Sequence, residues 1–247
     1  LDQISGGRVA VHIITGGNDR ELEADGDHLT KTQRYARAAE YVGIFRQERQ
    51  AQTPFDHTGA YYRIRGAYSD VKPFTPQGIP VYFGGASPEA LAVTGQYADG
   101  YALWGEPLQQ AAELVARVRA AAHEYGRKVR FSVSFRSIVA HTEQAAWERA
   151  ADIEATLKAR QKQAAPPLEA AAASLDVAGQ KLTQATLPTN EGSRRLQAIA
   201  AKGARHDARL WTGVAQATGG RWNSTALVGT PDQVAASLFH SYRLGIE

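Results

Sequence analysis

A chain of 247 residues, 43% of them hydrophobic and 21% charged, is long enough for one large globular domain or two small ones. No run approaches the length of a membrane span, and a net charge of +3 scattered along the chain argues against nucleic acid while leaving small anions as partners. The absence of cysteine excludes disulfides, thiolate metal sites and a cysteine nucleophile within these residues, and no signal peptide is visible.

Leu1-Asp2-Gln3-Ile4 reads as the tail of a helix, and Gly6-Gly7-Arg8 as the turn feeding a strand over Val9–Ile14. That strand is a continuous apolar run, the pattern of a parallel strand buried on both faces. Thr15-Gly16-Gly17 ends it. After a polar loop, Thr30 or Thr32 can cap a helix through Val42, on which Lys31 and Tyr35, four apart, can reach one anion from the same face. A hairpin-like excursion is expected between Phe55 and Gly78. The next strand, at Val81, runs into Gly84-Gly85-Ala86-Ser87-Pro88-Glu89, a strand–turn–helix. There two glycines let backbone approach a ligand, Ser87 caps, and Pro88 sits at the first helical position. Such a helix start is an anion site, and phosphate is its usual occupant.

A short helix to Tyr97 is followed by a strand ending at Trp104, and then by an amphipathic helix from Leu108 that stops at Gly126. Val129–Val139 reads as one strand, with Arg136 at or beyond its far end, and Thr142 to about Gln163 as a long helix. Residues from about 166 to 223 read as an insertion or lid, with helical patches and a glycine-bearing stretch at 218–223. Thr230-Pro231-Asp232-Gln233 is a capping box opening a last helix, and Tyr242–Ile246 reads as a helix stop entering another strand. With no methionine and a start at Leu1, further elements are expected on both sides. Strands alternating with amphipathic helices give an α/β protein with a parallel sheet, doubly wound or barrel, whose ligands gather at the carboxyl ends of strands. Thr15, Gly84 to Ser87, Trp104 and Arg136 all fall at such ends.

Leu1–Arg8, Ile14-Thr15-Gly16, Arg34-Tyr35-Ala36, Tyr82–Ser87, Leu103–Pro107, His206-Asp207 and Ser224–Gly229 together resemble the bacterial luciferase-like flavin monooxygenases, and within them the alkanesulfonate monooxygenase group. The resemblance implies a single (β/α)8 barrel domain over 1–247, with the first three strands and the last strand outside these residues. It implies FMN, as FMNH2, as the cofactor and no metal. Ser87 and the Gly85-Ala86 backbone would hold the flavin phosphate with Tyr35 and Lys31 beside it, which departs from the commoner barrel phosphate site after strands 7 and 8. Thr15 and Trp104 would line the flavin pocket. His12 would either hydrogen-bond the flavin or be a core histidine.

Where the alkanesulfonate group carries a histidine four residues before the tyrosine, this chain has Lys31. The Arg-x-His of that group is Ser134-Phe135-Arg136 here, and a lid arginine is Thr218, with Arg221 close by. The flavin site reads as kept and the substrate site as rebuilt, with Arg136 and Arg221 as the catalytic candidates. The implied activity is a two-component, FMNH2- and O2-dependent monooxygenase of a small organic substrate, organosulfur compounds included. An NAD(P)H flavin reductase would be its partner, with no nucleic acid or membrane, in a cytoplasmic homo-oligomer, dimer or tetramer. A deazaflavin-dependent oxidoreductase on the same barrel and a non-catalytic flavin-binding paralogue are the alternatives.

Overall fold

The computed structural model describes residues 1–164, 190–220 and 224–247, which fall into two compact units. The first unit comprises residues 1–103, 109–133 and 242–247. Its sheet has the order β1-β4-β5-β6, from β1 (Val11–Ile13), β4 (Val81–Gly84), β5 (Gly100–Trp104) and β6 (Arg130–Ser134). The β1/β4 and β4/β5 pairs are parallel. Two short helices, α1 (Asp2–Ser5) and α2 (Asp19–Ala24), flank β1 in the chain. Between β1 and β4 also lie the twenty-residue helix α3 (Lys31–Gln50) and an antiparallel hairpin of β2 (Phe55–Thr58) and β3 (Arg63–Ala67), as the turn residues led one to expect. Thr30 and Gln33 close a reciprocal capping box at the start of α3.

The apolar stripe of α5 (Leu108–His123) explains the larger core. Ala111, Leu114, Val115, Val118 and Ala122 are buried on it, against Tyr101 and Leu103 of β5 and Phe131 of β6. Burying a valine such as Val115 or Val118 is worth about 1.5–2 kcal/mol relative to leaving it in water. A second cluster sets Phe83 of β4 against Ala90 and Val93 of α4 (Pro88–Tyr97) and Ala38 of α3. At the amino ends of β4 and β5, Asp99 accepts from the Val81 N–H at 2.9 Å, from Arg46 at 2.6 Å and from Arg127 at 2.9 Å. Burial pushes this carboxyl up, but the Arg46 and Val81 hydrogen bonds outweigh it and hold the group below the usual range. The polar lock lies at one end of the strands, which leaves their carboxyl ends for the glycine turn.

The second unit comprises residues 104–108 and 134–241. Its sheet has the order β7-β10-β9-β8, from β7 (Arg136–Val139), β8 (Arg205–His206), β9 (Leu210–Trp211) and β10 (Ala226–Gly229). The β7/β10 pair is parallel and the other pairs are antiparallel. Ile138, Trp211, Ala226 and Val228 pack on Ala146 and Ala150 of α6 (Glu143–Ala164). Among the described residues no helix is long and apolar enough to cross a membrane.

Two sequence expectations are corrected. The run Val9–Ile14 is a strand only over Val11–Ile13 and is not buried on both faces. Among the described residues β1 is an edge of its sheet, and Ile14 beyond it is 78% exposed. The run Val129–Val139 is two strands in different sheets: past Ser134 the chain leaves β6, and Arg136 N–H donates to Thr225 O at 3.0 Å to begin β7. Arg136 therefore opens a strand. In the described part of the expected insertion, 190–220, the helical patches are a helix at Glu191–Ala200 capped by Asn190 and a helix at Gly213–Thr218, with the β8/β9 hairpin between them. Residues 165–189 and 221–223, Arg221 among them, lie outside the described residues.

Candidate functional site

The turn after β4 is held from several sides. Gly85 has φ +107°, a conformation that side-chain-bearing residues rarely adopt. Its carbonyl accepts from the Tyr101 phenol at 2.7 Å, and the Ala86 carbonyl accepts from Arg117 at 3.4 Å. Ser87, 3% exposed, is the N-cap of α4 and accepts from the Ala90 N–H at 3.3 Å, with Pro88 in the first turn. Thr94 donates back to Ala90 O at 2.7 Å. The positive end of the α4 dipole thus opens on a short turn whose carbonyls are already engaged.

A side chain at either glycine would press on its neighbours. A Cβ built on Gly85 would meet the Tyr35 phenol oxygen at 3.2 Å and the Ala90 Cβ at 3.1 Å. One built on Gly84 would meet His12 Nε2 at 3.4 Å and Ala102 O at 3.3 Å. Tyr35 is fixed by a tilted ring contact with Phe83, the centroids 6.1 Å apart. His12 is exposed, so the core-histidine reading does not hold, yet partial desolvation pushes its pKa below the ordinary value and favours the neutral ring at pH 7.

Lys31, one turn before Tyr35 on α3, sits 5.9 Å from the Tyr35 ring centroid and donates to Glu89 at 3.1 Å. The pattern of a cation and a phenol on one face of α3 is therefore observed, and the anion that the cation meets is a side chain of α4. Glu89 is held below the usual carboxylate range by its own backbone N–H and then by the nearby Ser87 hydroxyl, against an upward push from burial, with Lys31 adding a smaller pull downward. His12, Lys31, Tyr35, Gly85, Ala86 and Ser87 thus gather in one place. Thr15 lies two residues past β1, half-buried. Two open hollows of the first unit, one by Gly43 and Phe55 and one by Asp25 and His28, share no lining residue with the turn.

Trp104 and Arg136 belong to the second unit. Trp104 is half-buried against Leu196, Ala200 and Ala215, and a Cβ on Gly192 would meet its ring at 3.2 Å. Arg136 is exposed, and its guanidinium takes no ion-pair partner among the described residues. Glu106, 7% exposed, receives both the Nε (2.9 Å) and Nη2 of Arg195. The His206-Asp207 motif is structural, since Asp207, at φ +45°, accepts the Leu108 N–H at 3.0 Å. Sequence reasoning missed Glu89, Tyr101 and the Glu106–Arg195 pair. Glu89 carried a signal in its place one residue past Pro88, but an acidic residue in a first helical turn is ordinary. A strand tyrosine such as Tyr101 reads as core, and no local pattern pairs residues as distant in the chain as Glu106 and Arg195.

Solved structures share this fold. The EDTA monooxygenase of Chelativorans sp. BNC1 is 19% identical, with a TM-score of 0.68, over 99% of this chain and 60% of that one. A riboflavin lyase, described with modified FMN and riboflavin, is 18% identical, with a TM-score of 0.68, over 98% of this chain and 58% of that one. An F420-dependent secondary alcohol dehydrogenase is 15% identical, with a TM-score of 0.61, over 99% and 63%. This chain spans about 60% of the length of these proteins, and the likeness fixes the fold as an α/β architecture of TIM-barrel type. The family model described as luciferase-like monooxygenase matches residues 1–247. The chain belongs to the luciferase-like monooxygenase family.

Proposed function

We propose that the full protein is a two-component, FMNH2- and O2-dependent monooxygenase of a small organic substrate, of the kind represented by the alkanesulfonate group and supplied by an NAD(P)H flavin reductase in the cytoplasm. The observation that carries this reading is the Gly84–Ser87 cradle. It has glycines where a Cβ would stand 3.2 Å from the Tyr35 phenol oxygen and 3.4 Å from His12 Nε2, and a buried serine at the start of α4 with Lys31 alongside. These residues fit a phosphate-bearing cofactor: helix dipole, N-cap hydroxyl and ammonium all favour an anion of that size.

Reduced flavin would supply the electrons that activate O2. The chain's own part is to bind, orient and exclude water. Ser87, the Gly85-Ala86 backbone, Lys31 and Tyr35 would hold the phosphate end. His12, kept neutral, can donate or accept one hydrogen bond without bringing charge to the flavin. Thr15 would supply pocket wall. Arg136, a permanent cation without an ion-pair partner among the described residues, would receive negative charge on the substrate or on activated oxygen, with Arg221 as a second candidate.

The F420-dependent neighbours favour one other reading, a deazaflavin oxidoreductase on the same barrel. Substrate-dependent NAD(P)H oxidation with a flavin reductase, read across a sulfonate and sulfone panel with FMN and with F420 in parallel, separates the two. Turnover with FMN and O2 supports the proposal. Hydride transfer with F420 alone replaces it.

A further inference from the structure

The anion at the start of α4 is Glu89. Its carboxylate accepts from the Lys31 ammonium at 3.1 Å, two residues past the N-cap Ser87. That ammonium is the cation that a phosphate at this turn would use beside the first-turn N–H groups and the N-cap hydroxyl. A phosphate dianion and a carboxylate cannot both hold it, because like charges in adjoining places disfavour one another. Glu89 and Lys31 have side chains about one-third exposed, at 32% and 37%, so the pair is of the surface type that opens at little cost. Nothing else in the first turn needs Glu89, since Ser87 already caps Ala90.

Resting on the flavin-phosphate reading of this turn, we infer that Glu89 is a built-in counter-anion that competes with the cofactor phosphate for Lys31, and so sets how tightly the flavin is retained. When the phosphate arrives, Glu89 swings to solvent and Lys31 changes partner from carboxylate to phosphate. The device weakens binding of the phosphate end alone and leaves contacts to the flavin ring untouched. It suits a cofactor that must come and go with each turnover. Glu89 is thus a specificity-determining residue for the cofactor's phosphate, acting through Lys31.

The test is a set of binding titrations on the full-length protein, following flavin fluorescence with FMN and with riboflavin, which lacks the phosphate. Glu89→Gln leaves the Ser87 cap on Ala90 in place, so the helix start survives. It should tighten FMN about tenfold and leave riboflavin unchanged. Lys31→Gln should weaken FMN by a larger factor in the Glu89→Gln background than in the wild type, because only there is Lys31 wholly available to the phosphate. A merely structural Glu89 would alter both flavins alike. Equal affinity of the wild type for FMN and riboflavin would remove the phosphate from this turn and the inference with it. A retained preference for FMN, with Glu89→Gln binding FMN no better than wild type, would overturn the role of Glu89 alone.

Discussion

Replacing Gly85 with alanine tests the cradle. At φ +107° an alanine pays backbone strain of about 1–3 kcal/mol, offset by about 0.4–1 kcal/mol from the smaller conformational freedom of the unfolded chain. The net loss is about 1–2 kcal/mol, which for a protein of this size lowers Tm by roughly 2–8 °C. The new Cβ would also stand 3.2 Å from the Tyr35 phenol oxygen and 3.1 Å from the Ala90 Cβ, tighter than ordinary contact, so Tyr35 must yield by a few tenths of an ångström. Gly26 provides the control: its φ is +85°, and an added Cβ there meets nothing within 4 Å. Gly26→Ala should show a similar thermal cost with FMN affinity unchanged. Gly85→Ala should lose FMN affinity roughly tenfold, about 1.4 kcal/mol. Calorimetry and fluorescence titration on both variants decide the matter. If Gly85→Ala matches Gly26→Ala in both readouts, the contact with Tyr35 has no part in cofactor binding.

Other perturbations separate site from scaffold. Tyr101→Phe removes the 2.7 Å hydrogen bond to Gly85 O, and should cost about 1 kcal/mol in denaturant unfolding while loosening FMN a few-fold. Glu106→Gln leaves the Arg195 guanidinium facing a neutral amide in a buried pair. The expected loss is about 3 kcal/mol, measured by chemical denaturation, with no change in FMN affinity if the pair is only structural. The Arg209 guanidinium and then the Gln233 amide hold the Glu143 carboxyl down to about 2, against an ordinary 4.5. Because the folded-state value lies below the unfolded one, this contribution is complete above pH 4.5 and is lost as pH falls from there towards 2. Glu143→Gln should therefore flatten the acid side of a Tm–pH profile across that window, and an unaltered profile would show that the pair contributes nothing.

What was legible in the sequence was local. The Ser87 cap, the helix start that the sequence places at Thr30 or Thr32 and the structure caps with Thr30, the Thr230 box and the α5 stripe depend on residues within a turn or two of one another. The break at Phe135 was not legible. Ser134, Phe135 and Arg136 suit a strand equally on either side, and which sheet each half joins is decided by a distant partner, Thr225 and the β10 strand after it. Short two-residue strands such as β8 and β9 bury too little of themselves to leave a period. Arg34 would pass for a solvated helix residue, yet it is 5% exposed because Leu29 O at 2.6 Å and Asp19 at 2.7 Å enclose it. At the site, the glycines and the serine announced an anion. That the chain supplies one of its own, through Glu89 and Lys31, depends on a contact 58 residues apart.

The central claim is that the flavin phosphate sits on the Gly85–Ser87 turn. A crystal structure of the full-length protein with FMN bound tests it most directly. The account predicts phosphate oxygens within about 3 Å of Ser87 Oγ and of backbone N–H groups of the turn, with Lys31 Nζ turned from Glu89 towards the phosphate. A phosphate bound elsewhere, with the Lys31–Glu89 pair still closed at this turn, would contradict it.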